Sequence, residues 1–225
     1  MLYVEIRIEG GLDAHWSSWF EHLVIVPAET GTLLVGLVAD QAALYGLLAR
    51  LRDLAVTLRG GDSLRLEEPA CVAGGLAWGG GWSASPVGAC PDHPTLTGPA
   101  GFCFGMRWEP GAAGLAGRVR FHFPAASLSF MSTALEHVEA EGAQIRCRGL
   151  GCLNTQGRYR FWLNVLARSP APGAAAWRMK LAAPDGQSVV YDNELGRDEA
   201  AAPLTALAAG QVVYRPGRSR VSVDL

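Results

Sequence analysis

Residues 61–82 read GDSLRLEEPACVAGGLAWGGGW, and the change of pattern inside this stretch decides the fold. Two amphipathic helical stretches precede Pro69; after it the hydrophobic period falls to two and Gly and Pro punctuate the chain. The sequence therefore reads as two folding units, residues 1–68 and 76–225, joined by a linker over 69–75.

Upstream of the join, Leu2, Val4, Ile6 and Ile8 alternate with Tyr3, Glu5, Arg7 and Glu9, which predicts a strand with one apolar and one largely polar face. Asp13 offers an N-cap, and Trp16, Trp19, Phe20 and Leu23 fall on one helical stripe, so a helix is expected over 14–22. Two apolar runs, 23–26 and 33–38, flank PAETGT and predict a hairpin. Asp40 then caps a second helix striped by Leu44, Leu47, Leu48, Leu51 and Leu54, and a last strand is expected over 56–66, bent at Gly60 and Gly61. This β-α-β-β-α-β order predicts a ferredoxin-like α+β domain.

Downstream, FCFGMRW, RVRFHF, SLSFMS, AQIRCRG, GRYRFWLNVLAR, AAWRMKLAA, SVVYDN and QVVYR read as short strands separated by turns. They predict an all-β antiparallel sandwich or partly closed barrel.

Composition narrows the classes. With 49% hydrophobic and 18% charged residues the chain is that of a globular protein, and no run is apolar enough for a transmembrane helix. Residues 1–68 carry 10 acidic and 5 basic side chains, against 11 and 14 in 69–225. Met1 leads directly into a strand pattern without a signal-peptide profile, so a cytoplasmic location is expected. The five cysteines, Cys71, Cys90, Cys103, Cys147 and Cys152, are an odd number and read as free thiols, with a bridge between Cys90 and Cys103 as the alternative.

No nucleophile elbow, zinc-protease helix, P-loop or dinucleotide fingerprint is present, so no catalytic residue, cofactor or metal site is assigned. His15 and His22 share a helix face without a third ligand, and Cys90 with His93 and Cys103 falls short of a zinc set. The acidic YDNELGRDE stretch, residues 191–199, reads as an Asp/Asn-stabilised turn rather than a calcium loop. The strongest surface signal is three i, i+2 arginine pairs, Arg118 and Arg120, Arg146 and Arg148, and Arg158 and Arg160, with Trp162 on the face of the last pair. If their strands adjoin, they make a basic surface for an anionic polymer, an acidic protein partner or the acidic first unit.

Two resemblances add to this. DAHWSSWF and DQAALYGLLARLRDL resemble a family of small bacterial ferredoxin-like proteins of unknown function. GGGWSASPVGACPDHPTLTGPAGFCFGMRW, LSFMSTALEHV, RGLGCLNTQGRYRFWLNVL and VVYDNELGRDEAAAPLTALAAGQVVY are similar, in order, to the blocks of the bacterial all-β post-COAP type module. That second likeness implies a non-catalytic accessory or adhesion-like role and makes export the alternative location. The expected function is thus a non-catalytic binding or assembly module, with protein partners or self-association. An enzyme with a site in the cleft between the units is the alternative.

Overall fold

A computed structural model of the chain describes residues 1–12, 20, 23–28, 31–67, 69, 73–110, 114–167 and 175–217. The first sheet contains β1 (Leu2–Ile8), β2 (Leu23–Ala28), β3 (Gly31–Val38) and β4 (Leu58–Arg65), in the order β2-β3-β1-β4, all antiparallel. One helix, α1 (Gln41–Asp53), covers one face. It starts where Asp40 accepts a hydrogen bond from the Ala43 amide at 2.9 Å, satisfying one of the free N–H groups of the first turn. Its stripe buries Leu47 and Leu51 against Val4, Ile6, Ile8 and Leu34.

The second sheet has nine antiparallel strands: β5 (Gly75–Ser85), β6 (Gly98–Trp108), β7 (Ala116–Phe123), β8 (Leu128–Glu141), β9 (Gln144–Leu153), β10 (Gln156–Leu166), β11 (Ala176–Ala182), β12 (Val189–Asp192) and β13 (Ala209–Pro216). Their order is β12-β11-β10-β9-β8-β7-β6-β5-β13. The sheet curls around its own core, where Phe102 stacks on Trp177 with centroids 4.5 Å apart and Phe121 meets Tyr191 at the same distance. Polar tips inside that core are satisfied across the curl: Trp177 Nε1 donates to Ser83 Oγ at 3.0 Å and the Tyr191 hydroxyl to Ser85 Oγ at 3.1 Å. A bridge between Ala176 and Ala206, with the Ala208 amide donating to the Trp82 carbonyl at 2.8 Å, links β11 back towards β5.

The expected fold class needs correction. The chain is mostly β, with two antiparallel sheets and one α-helix among the described residues, and the ferredoxin-like α+β domain is not what forms the N-terminal part. The helix expected over 14–22 lies outside the described residues, Phe20 excepted. The physical reason lies in the face of β1 read as largely polar. Tyr3, Val24, Val26, Val35 and Leu37 on that side of the first sheet are buried with Leu76, Trp78 and Cys103 of the second. A two-layer α/β unit would leave this surface to water; here the layers run helix, sheet, sheet. Each large apolar side chain enclosed there contributes about 1.5–3 kcal/mol.

Close approach requires glycine on the second sheet. A Cβ at Gly105 would lie 2.3 Å from the Tyr3 ring, and one at Gly80 would lie 3.0 Å from a Val26 methyl and 2.6 Å from the Phe102 carbonyl oxygen.

Candidate functional site

Register places the facing side chains of the two sheets in rows. On the first sheet these rows are Leu64–Tyr3–Leu37, Asp62–Glu5–Val35–Val24 and Gly60–Arg7–Leu33–Val26. On the second they are Trp78–Gly105–Arg118, Gly80–Cys103–Arg120–Met131 and Trp82–Gly101–His122–Ser129.

The first two rows of each sheet close on one another. Tyr3 packs on Gly105. Glu5, only 1% exposed, pairs with Arg120 Nε, and Asp62 takes Arg118 and, at 3.2 Å, the far nitrogen of Arg120. A carboxylate taken that far out of water is tolerated because a guanidinium replaces its hydration. The Oε1 atom of Glu5 is buried and accepts no hydrogen bond among the described residues. Burial, with Glu5 alongside, pushes the Cys103 thiol well above the ordinary thiol range and so keeps it protonated.

The third rows part from one another except at Val26, which closes on Gly80. Between them opens a cleft of about 690 Å³ lined by Arg7, Val26 and Leu33 from the first sheet and by Trp82, Gly101, Cys103, Arg120, His122 and Ser129 from the second. Phe102, Phe121, Phe130, Pro99 and Pro124 complete its lining. This is the size and the largely apolar character of a small-molecule site. Neither Gly60 nor Gly101 projects a side chain into the gap, and a Cβ at Gly101 would meet its nearest neighbour at 3.5 Å, an ordinary contact.

The structure separates the arginine pairs singled out from the sequence. Arg118 and Arg120 lie under the first sheet and are committed to Asp62 and Glu5. Arg146, Arg148, Arg158, Arg160 and Trp162 sit on the outer face of β9 and β10, which lie two and three strands away from β7 beyond β8. There the charges are interleaved. Arg146 pairs with Glu139 at 2.7 Å and Glu141 at 3.1 Å, Arg160 lies 3.6 Å from Glu136, and Lys180 pairs with Glu199 while sitting 4.8 Å over the Trp162 ring. Arg148 and Arg158 have no carboxylate partner among the described residues, but Glu136, Glu139, Glu141 and Glu199 among the basic groups make the outer face mixed in sign rather than a basic stripe.

The acidic stretch after β12 is held by protein donors. Asp192 takes Arg178 through both oxygens, at 3.0 and 2.8 Å. Asn193 accepts from the Met179 amide and donates to the Trp177 carbonyl, and Glu194 Oε1 accepts from the amides of Leu204 and Thr205. Arg146, Asn164 and Arg178 each donate to loop carbonyls between residues 197 and 201, strapping this segment across β9, β10 and β11. Among the described residues no three His, Cys, Asp or Glu side chains converge as a metal set. Cys90 and Cys103 are free thiols in different apolar clusters, and Cys71, His15 and His22 lie outside the described residues. No described helix is long and apolar enough to cross a membrane.

Reading the sequence missed Arg7, Leu33, Trp82, Gly101 and His122 as members of one site. The available signal was the parity of Arg7 with Tyr3 and Glu5, which marks a shared face but not what that face meets.

Residues 3–60 match one family model, Domain of unknown function (DUF8691). The matched segment carries the first-sheet wall of the cleft, Arg7, Val26 and Leu33, and assigns no activity to it. No curated protein and no solved structure is significantly similar to the chain.

Proposed function

We propose that this protein is a non-catalytic binding module that takes a small, largely apolar molecule into the cleft between its two sheets. One observation carries the reading: Arg7, Leu33 and Val26 on one sheet and Trp82, Gly101 and His122 on the other line a single cleft of about 690 Å³, while Tyr3 and Glu5 beside them are closed on Gly105 and Arg120. Burial holds the cleft's thiol, Cys103, protonated and its two arginines do not serve as bases, which leaves His122 and Ser129 as the lining side chains with catalytic chemistry to offer. The mixed charge of the outer face of β9 and β10 gives less support to an anionic polymer as the partner.

Titration of the full chain with naphthylmethanol, followed by tryptophan fluorescence, tests this. Saturable one-site binding that Gly101→Leu abolishes is the expected result; binding indifferent to Gly101→Leu overturns it.

A hydrolytic enzyme using the same cleft is the second reading, carried by His122 and Ser129, which are register partners on β7 and β8 and both line it. It requires turnover of an activated ester that Ser129→Ala removes.

A further inference from the structure

Resting on the cleft reading, we infer that its ligand is an apolar monocarboxylate, an aryl or alkyl acid whose charged end meets Arg7. The charges around the cleft nearly cancel in pairs. Glu5 and Asp62 are matched by Arg120 and Arg118, and Glu9 at the end of β1 is matched by Arg59 at 2.7 Å. Of the two arginines lining the cleft, Arg120 is thus already engaged, whereas Arg7 is exposed and has no carboxylate partner among the described residues.

One guanidinium without a counter-charge selects one negative charge. Its planar fork matches a carboxylate through two parallel hydrogen bonds. A phosphate monoester, at roughly −1.5 to −2 near neutral pH, would bring surplus negative charge towards Glu5 and Asp62. Arg7 also sits beside Leu33 in register, with Val26 next in the row, so an acid anchored at Arg7 lays its apolar body along Leu33 and Val26 with Trp82 opposite.

The experiment titrates the full chain with sodium naphthoate, neutral naphthylmethanol and naphthyl phosphate, using the native sequence, Arg7→Gln and Gly101→Leu. The expected result is naphthoate bound about tenfold more tightly than the alcohol, the worth of one charge-assisted contact. The phosphate should bind more weakly than naphthoate, and Arg7→Gln should bring the affinities of the acid and the alcohol together. Equal affinity for acid and alcohol, a preference that survives Arg7→Gln, or tighter binding of the phosphate overturns the monocarboxylate assignment and leaves the cleft intact. Binding of all three compounds unaltered by Gly101→Leu overturns the cleft itself. Arg7 is exposed, so circular dichroism of Arg7→Gln should match the native spectrum.

Discussion

Glu5 and Arg120 lie 115 positions apart in the chain and form an ion pair where the two sheets meet, with the carboxylate almost wholly removed from water. The pair ties the middle of β1 to the middle of β7, and it makes the cost of substitution asymmetric. Arg120→Ala leaves a buried, unpaired carboxylate and is expected to lower stability by about 3 kcal/mol; the double replacement Glu5→Leu with Arg120→Leu should cost clearly less. Urea unfolding of the two single variants and the double variant reads the difference. A double variant as unstable as Arg120→Ala contradicts the role given to the pair.

Gly105→Ala places a methyl group 2.3 Å from the Tyr3 ring, which is itself fully enclosed. Overpacking of this kind costs about 1–3 kcal/mol. Gly101→Ala, with its nearest neighbour at 3.5 Å, should be close to neutral. Thermal melts of the two variants side by side provide the check.

Arg178→Met removes the partner of Asp192, which is buried, and two donors to the loop that follows. The expected loss is about 3–5 kcal/mol. Amide exchange should rise first across residues 194–204, ahead of the strands. Asn164→Ala, which deletes one loop contact at 2.7 Å, should produce a milder form of the same pattern, about 1 kcal/mol.

Burial raises the thiol pKa values of Cys103 and Cys147 above their ordinary range. The sign follows directly: a raised folded-state pKa gives stability that is fully present below the unfolded thiol's pKa, about 8.5, and is lost as pH climbs above it. The urea midpoint should therefore fall between neutral and alkaline buffer. In native protein, Cys103 and Cys147 should resist a thiol reagent while Cys152, half-buried on the outer face, reacts sooner. Mass spectrometry of the labelled peptides distinguishes them.

Local periodicity made some of this legible. Alternation from Leu2 to Ile8 gave β1, and Asp40 with the Leu47 and Leu51 stripe gave α1, because both patterns are written within a dozen residues. What lies across the Tyr3–Glu5–Arg7 face was not legible, since its partners are Gly105, Arg120 and His122, and contacts between strands so distant leave no periodic trace. A mixed face with Glu5 and Arg7 looks like a solvent face until its counter-charges are known. The ferredoxin-like expectation failed on that point. The arginine pairs show the same limit: parity put each pair on one face, but adjacency sent Arg118 and Arg120 to a different neighbour from Arg146, Arg148, Arg158 and Arg160.

Tyr3 is shut against Gly105, and Arg7, four residues on and roughly 13 Å away at a strand's rise, borders the cleft. The same two strands, β1 and β6, thus carry a closed contact at Tyr3 and Gly105 and a wall of the cleft at Arg7 and Gly101. Whatever alters the seating of Tyr3 on Gly105 resets the gap that a ligand must span, although neither residue touches it.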